Sequence, residues 1–284
     1  MMRHVPAEPL RLTLGDATYD VTRRALVMGI LNRTRDSFFA PAATFEMDAF
    51  LTRAEQLVEE GADLLDVGGV KAGPGEEVDE AEELDRVVPA VDMLRQRFDV
   101  PLSVDTWRAS VAREGFAAGA CLGNDISGFA DPHYLAVAAS AGASVVATHI
   151  RLRPRVADPD PHYEDVSATV RDFLLDRRQR ALDAGLTPDR VLLDAGLDLG
   201  KTAGQSLQLL RDSAQLAALG PVLLSASNKT FLGTMFGLGV LERREASMSA
   251  VAVGVAGGCR VLRVHDVRAT VRVRDALEKV LEAL

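Results

Sequence analysis

The chain offers its chemistry at positions where an apolar run stops and a polar side chain follows. In order these are Asn32, Asp66 ahead of Gly68-Gly69, Asp105, Asn124-Asp125, His149, Asp194, the Ser225–Lys229 segment, and Arg263 with His265-Asp266. Each has a plain structural reading when taken alone. Asp66, Asp125 and Asp266 could simply bond loop amides, Asn124 could make a turn, His265 could be a hydrogen-bonded structural histidine, and Lys229 a solvated charge. A coordinated set at successive run ends is harder to explain that way. Buried carboxylates and amides can satisfy the fixed donor and acceptor edge of a small planar molecule, so the set predicts a small-molecule site.

Such a set needs strands that all finish on one side. Apolar runs occur at Ala25–Leu31, Leu64–Val67, Leu102–Val104, Cys121–Leu122, Ser144–Thr148, Val191–Leu193, Val222–Leu224 and Val261–Val264. Their continuous rather than alternating hydrophobicity predicts strands buried on both faces, as in a parallel sheet. Helical spacing fills the intervals at Phe50–Glu60, Glu82–Phe98, Ala109–Ala118, His133–Ala141, Val170–Ala184, Ser206–Ala218, Glu245–Ala256 and Val273–Leu284. Several of these helices are expected to stop at a glycine, namely Gly61, Gly119, Gly142, Gly185, Gly220 and Gly257. Eight strands alternating with eight helices predict an α/β fold, a (β/α)8 TIM barrel, where a doubly wound sheet would more often stop sooner. Ahead of it, Leu10–Leu14 and Tyr19–Val21 flank Gly15-Asp16 and predict a short N-terminal hairpin. The expected division is therefore a hairpin over 1–24, packed on a barrel over 25–284. The longest irregular segments, Asn32–Thr44, Gly68–Asp79 and Ile150–Val166, follow strand ends, where barrel loops bind or cover substrate.

Composition narrows the partners. A net charge of -9 and a pI near 5.1 argue against a nucleic-acid partner, because phosphate neutralisation needs clustered Lys and Arg. Cys121 and Cys259 have neither a CxxC partner nor a nearby His and read as small buried hydrophobes in a reducing compartment. The first residues, Met1–Leu10, lack the apolar core of a signal peptide, and the most apolar stretches fall short of the roughly 20 residues a membrane helix needs. The expectation is a cytoplasmic protein with a small-molecule ligand and no nucleic-acid or membrane partner.

The motifs at the strand ends resemble those of dihydropteroate synthase. They are Gly29-Ile30-Leu31-Asn32, Asp36-Ser37-Phe38, Asp66-Val67-Gly68-Gly69, Ser103-Val104-Asp105-Thr106, Asn124-Asp125-Ile126-Ser127-Gly128, Lys229, and Arg263-Val264-His265-Asp266-Val267. No single piece is decisive, but the ordered set runs from about Val27 to Val267. The resemblance implies a pterin-binding barrel in folate biosynthesis, a transferase in which a reduced pterin loses its pyrophosphate and the amine of p-aminobenzoate takes its place. Carried onto matching positions, it implies that Asp105, Asn124, Asp194 and Lys229 bind the pterin and that Asn32, Arg263 and His265 bind the pyrophosphate. It implies a Mg²⁺ ion placed with the help of Asn32, catalytic roles for Asp36, Lys229, Arg263 and His265, and a homodimer.

The departures from the family pattern gather in the loops that meet the second substrate. Where the family's first loop reads Asn-Val-Thr-Pro-Asp-Ser-Phe, this chain has Asn32-Arg33-Thr34-Arg35-Asp36-Ser37-Phe38, losing a φ-fixing Pro. Where the second reads Gly-Gly-Glu-Ser-Thr-Arg-Pro-Gly, Lys71, Ala72 and Gly73 replace the Ser, Thr and Arg donors. Ser227-Asn228-Lys229 stands for Ser-Arg-Lys, Asp194-Ala195-Gly196 for Asp-Pro-Gly, and Thr148-His149 for Met-His, which removes an apolar surface from the pterin wall. The expectation is a diverged pterin binder with weak or lost condensation, set against a fully active synthase and a non-catalytic binding or regulatory barrel. Two lesser features are discounted. Gly200-Lys201-Thr202 lacks the earlier Gly of a phosphate loop, since Ala195 stands there. The Arg151–Arg155 cluster reads as a solvated loop face.

Overall fold

A computed structural model describes residues 9–34, 47–73, 75 and 77–282. Eight parallel strands carry the fold: β3 (Leu26–Asn32), β4 (Leu64–Gly68), β5 (Leu102–Asp105), β6 (Leu122–Asp125), β7 (Ser144–Thr148), β8 (Val191–Asp194), β9 (Leu223–Leu224) and β10 (Val261–Val264). They pair in the order β8-β7-β6-β5-β4-β3-β10-β9, and a parallel bridge between Leu193 and Val222 joins the two ends. The sheet thus closes on itself as the expected barrel.

Strict alternation along each strand separates two cores. One set of side chains, including Val27, Leu65, Val67, Val104, Val145, Leu193 and Leu262, packs outward against the helices. The other, Leu26, Met28, Leu64, Leu122, Val146, Leu192, Leu223 and Val261, fills the barrel axis near the strand starts. A short antiparallel hairpin, β1 (Arg11–Leu14) with β2 (Ala17–Asp20), adds Leu12 and Leu14 to that inner core. Gly15 turns it with φ 60°, a value a side chain would resist. Polar ties fix the plug: the Ser144 hydroxyl donates to the Thr13 carbonyl, the Thr13 hydroxyl to Asp189, and Arg190 Nη2 to the Gly15 carbonyl at 3.1 Å. One end of the barrel is therefore stoppered, mostly by apolar side chains with Ser144 tied to the hairpin, and the inward-facing charged residues lie toward the other.

The helices are α1 (Met47–Glu59), α2 (Glu80–Arg97), α3 (Ala109–Ala117), α4 (Tyr134–Ser140), α5 (Val166–Asp183), α6 (Ala203–Arg211), α7 (Ser213–Ala217), α8 (Thr230–Phe236), α9 (Arg244–Ala256) and α10 (Val267–Glu282). Two features differ from the periodicity. The helix expected over Ser206–Ala218 breaks at Asp212, whose backbone leaves helical values and whose carboxylate accepts from the Ser167 hydroxyl at 2.8 Å. Helix α8 carries no amphipathic signal long enough to read; it is seven residues, ended by Gly237 at φ 67°. The expected helix-ending glycines take positive φ except Gly257, where Gly258 does so one residue later. Among the described residues no helix is long and apolar enough to cross a membrane.

Candidate functional site

Alternation that puts Leu64 on the barrel axis puts Asp66 there too, two residues nearer the open end, and the same rule applies on each strand. The register then sets Gly68 beside Asp105 and Asp105 beside Asn124. Arg263, inward on β10, reaches across: Nε donates to Asp66 Oδ2 at 2.6 Å and Nη2 to Asp105 Oδ2 at 2.6 Å. Asn124 Nδ2 donates to the same Asp66 oxygen at 3.1 Å. Four strands are joined by one guanidinium, two carboxylates and one amide. Asp66 is fully buried, and burial pushes the Asp105 carboxyl up, against the pull of Arg263. Gly68 is small for a reason. A Cβ there would lie 3.2 Å from Asn32 Oδ1 and 3.5 Å from Asp105 Oδ2, so glycine lets the two side chains converge.

Asp194 ends β8 at 5% exposure and accepts from the Gly196 N–H at 2.8 Å. Burial raises its pKa; Lys229 chiefly opposes this. The following turn requires glycine, because Gly196 has φ 64° and a Cβ there would collide with the His149 carbonyl at 1.8 Å. That turn positions the next functional residue. Lys229 Nζ donates to the Leu197 carbonyl at 2.6 Å, and Asp198 accepts from the first N–H groups of α8, at 2.5 Å from Thr230 and 3.1 Å from Phe231. Behind it, Lys201 Nζ makes a buried four-way joint: His149 Nδ1 at 2.9 Å and the carbonyls of Gly196, Leu199 and His149 at 2.8, 3.1 and 3.3 Å. Burial, reinforced by Lys229, pulls Lys201 down to about 7. Burial and then Lys201 pull His149 down to about 3.

At the other side, the His265 backbone N–H donates to Ser227 Oγ at 3.2 Å, and that hydroxyl lies 3.0 Å from His265 Nδ1. Burial, then Arg263 and Arg53, hold His265 down to about 4, so the ring is neutral near pH 7. A cavity of about 450 Å³ opens here. Its lining brings Lys71, Lys229, Arg243 and Arg263 together with Asn32, Ser227 and His265, and no carboxylate is among the described residues that line it. Cations and hydroxyls facing one space suit an anionic group.

The expected site residues fall into three groups. Asn32, Lys229, Arg263 and His265 line the cavity. Asp105, Asn124 and Asp194 are not among the lining residues; Arg263, which does line it, holds Asp105 directly and is joined to Asn124 through Asp66. Asp36 lies outside the described residues. Asp125 and Asp266 bond loop and helix amides, at 2.6 Å to the Ser127 N–H and 2.9 Å to the Ala269 N–H. Asp66, open to the same reading in sequence, is instead the centre of the joint. Arg243 escaped notice, since an Arg in Glu242-Arg243-Arg244 looks solvent-borne without the fold, and Lys201 was met only in a Gly-Lys-Thr run discounted as a phosphate loop. The Arg151–Arg155 segment is only partly a free face. Arg151 pairs with Asp158 at 3.1 Å, while Arg155 Nη1 donates to the Lys71 carbonyl at 3.2 Å and its N–H to the Ala72 carbonyl at 3.1 Å, docking this segment on the second loop.

The buried His149 ring makes a testable pH dependence. Its folded pKa lies below the ordinary 6.5, so its contribution to stability is full above 6.5 and is lost as pH falls toward 3. Asp125, raised to about 6 by burial, acts in the opposite sense, so the His149 contribution is isolated by difference. Between pH 7 and 5 wild type should lose on the order of 2 kcal/mol more than His149→Gln, read by urea unfolding. Parallel losses in the two proteins would remove this account.

A barrel with a buried carboxylate and amide joint, mouthed by cations, is the arrangement of a small-molecule site. A family model described as pterin binding enzyme matches residues 28–265, and the chain belongs to that family as a dihydropteroate synthase-like barrel. A Mycobacterium leprae (strain TN) protein named inactive dihydropteroate synthase 2 is 44% identical over 264 residues, covering 90% of this chain and 91% of the relative. The dihydropteroate synthase of Synechocystis sp. is 38% identical over 276 residues, covering 95% and 96%. The Yersinia pestis dihydropteroate synthase in its sulfonamide complex superposes with a TM-score of 0.92 at 36% identity, covering 97% of this chain and 100% of that one.

Proposed function

We propose that this chain binds a reduced pterin bearing a diphosphate, and that condensation with p-aminobenzoate is weak or lost. The observation that carries the reading is the Asp66–Arg263–Asp105 joint, with Asn124 on Asp66, set beside a cavity lined by cations. In it, Asp105, Asn124 and Asp194 meet the amide and amine edge of the pterin, and Lys229 meets the ring. Asn32, Arg263 and His265 take the diphosphate. The family reaction breaks the carbon–oxygen bond to diphosphate, forms a carbon–nitrogen bond to the arylamine and releases the amine proton. Lys229, Arg263 and His265 would favour departure of the diphosphate, with Asp36 as a further catalytic position.

Mg²⁺ fits this site in a limited way. Asn32 brings one amide oxygen, and among the described residues no group of three His, Cys, Asp or Glu side chains gathers to hold a metal. That donor set suits an ion that arrives on the diphosphate, keeps its waters and borrows one protein oxygen. When bound, it would supply charge compensation for the departing group.

The weak acceptor chemistry is supported by the second loop, where Lys71 stands at the cavity and Ala72 and Gly73 bring no side-chain donor. Two or three lost contacts of about 1–3 kcal/mol each lower turnover by several orders of magnitude. The M. leprae relative named inactive agrees in direction. Calorimetry with a reduced pterin diphosphate and Mg²⁺, paired with a product assay using p-aminobenzoate, tests the reading. Binding without product is expected. Product at the rate of an ordinary synthase would favour full activity, and no binding would leave a non-catalytic barrel. The reading extends to a cytoplasmic location and to a homodimer, the second of which ultracentrifugation of the purified chain checks.

A further inference from the structure

Along β7 the inward row is Ser144, Val146 and Thr148. Ser144 ties to the hairpin, Val146 belongs to the inner core, and Thr148 pairs with Asp194 in register at the open end. Thr148 is 2% exposed. Its methyl lies against the Gly196 turn, 3.3 Å from where a Cβ on Gly196 would stand. Its backbone has no freedom to turn away, because the next residue donates its N–H to the Asp194 carbonyl at 3.0 Å and is gripped through its ring by Lys201. Yet the buried hydroxyl has no hydrogen-bond partner. Asp66 Oδ1 and Ser103 Oγ, on the inward faces of β4 and β5, are in the same condition. A buried polar atom left unmet is destabilising, and where it faces an open site a water or a ligand can complete it.

We infer that Thr148 is a specificity-determining residue, whose hydroxyl hydrogen-bonds the edge of the bound heterocycle next to the group that Asp194 holds. The inference rests on the proposed pterin floor and adds a second reader to it. Asp194, when ionised, only accepts, whereas a hydroxyl both donates and accepts. The pair can therefore read two neighbouring groups on the ring edge, a donor at Asp194 and either kind at Thr148. The Met that the family motif carries at this position reads shape alone. The ligand class is a nitrogen-rich bicyclic heterocycle with two adjacent hydrogen-bonding groups on the edge that enters first.

Thr148→Val keeps the shape and removes the hydroxyl; Thr148→Ser keeps the hydroxyl. By calorimetry with a reduced pterin diphosphate and Mg²⁺, the Val variant should bind about 3- to 10-fold more weakly, the Ser variant within about 2-fold of wild type, and neither should lower Tm by more than about two degrees. Val binding as tightly as wild type, while Asp194→Ala loses binding, would overturn this inference and leave the pterin reading standing. A Tm loss in the Val variant that tracks its affinity loss would make Thr148 structural and overturn it as well. Absence of binding by wild type would overturn both.

Discussion

Asp194→Ala should lower affinity for a reduced pterin diphosphate by about 100-fold. The side chain is nearly inaccessible, and a ligand that donates to a buried carboxylate loses a charge-assisted bond of about 1.5–3 kcal/mol when it goes. The loss has a second source, because the same carboxylate accepts from the Gly196 N–H at 2.8 Å. Gly196 begins the turn that carries Leu197, which holds Lys229, and Asp198, which holds the start of α8. Asp194→Asn keeps an acceptor for that N–H and removes only the charge, so it should fall between wild type and Ala. Unchanged affinity in the Ala variant would remove the assignment of the pocket.

Arg263→Met should destabilise the fold by about 3–5 kcal/mol, because it leaves Asp66 and Asp105 facing each other in the barrel without their cation. The deficit should depend on pH, and the sign follows from Asp105. Its folded pKa is already raised by burial, and losing the opposing Arg263 raises it further. A carboxyl raised in the folded state contributes stability at low pH that is lost as pH rises through the folded value. The variant should therefore be furthest below wild type near neutrality and recover toward pH 4. Urea unfolding at several pH values reads this directly, and adding Asp66→Asn to the variant should restore part of the loss. A deficit under about 1 kcal/mol that ignores pH would mean that the joint does not hold the site.

Much of this architecture was legible along the chain. Uninterrupted apolar runs at regular intervals can be satisfied only by strands covered on both faces, and helical spacing between them leaves a barrel as the closed solution. The run ends marked Asn32, Asp105, Asn124, Asp194 and Arg263 because an abrupt change from apolar to polar locates where a strand leaves the core. Helix α8 was not legible, since seven residues hold less than two turns of periodicity and it is fixed by Asp198 from another loop.

What only the folded chain decided is which polar residues meet. Asp66 and Asp125 are each an Asp near a strand end, one residue class with one sequence context. Strand alternation and register send Asp66 inward to Arg263 and Asn124, 197 and 58 residues away, and leave Asp125 to bond the amides of its own loop. Nothing local to Lys201 or Arg243 names their partners, which the fold supplies as the His149 ring, 52 residues away, and the Asn228 carbonyl, 15 residues away. Local pattern fixes where each strand begins and stops, because hydrophobic burial acts on every residue in turn. Hydrogen-bond partners across a barrel depend on registers and side-chain reach between strands, which no stretch of the chain contains by itself.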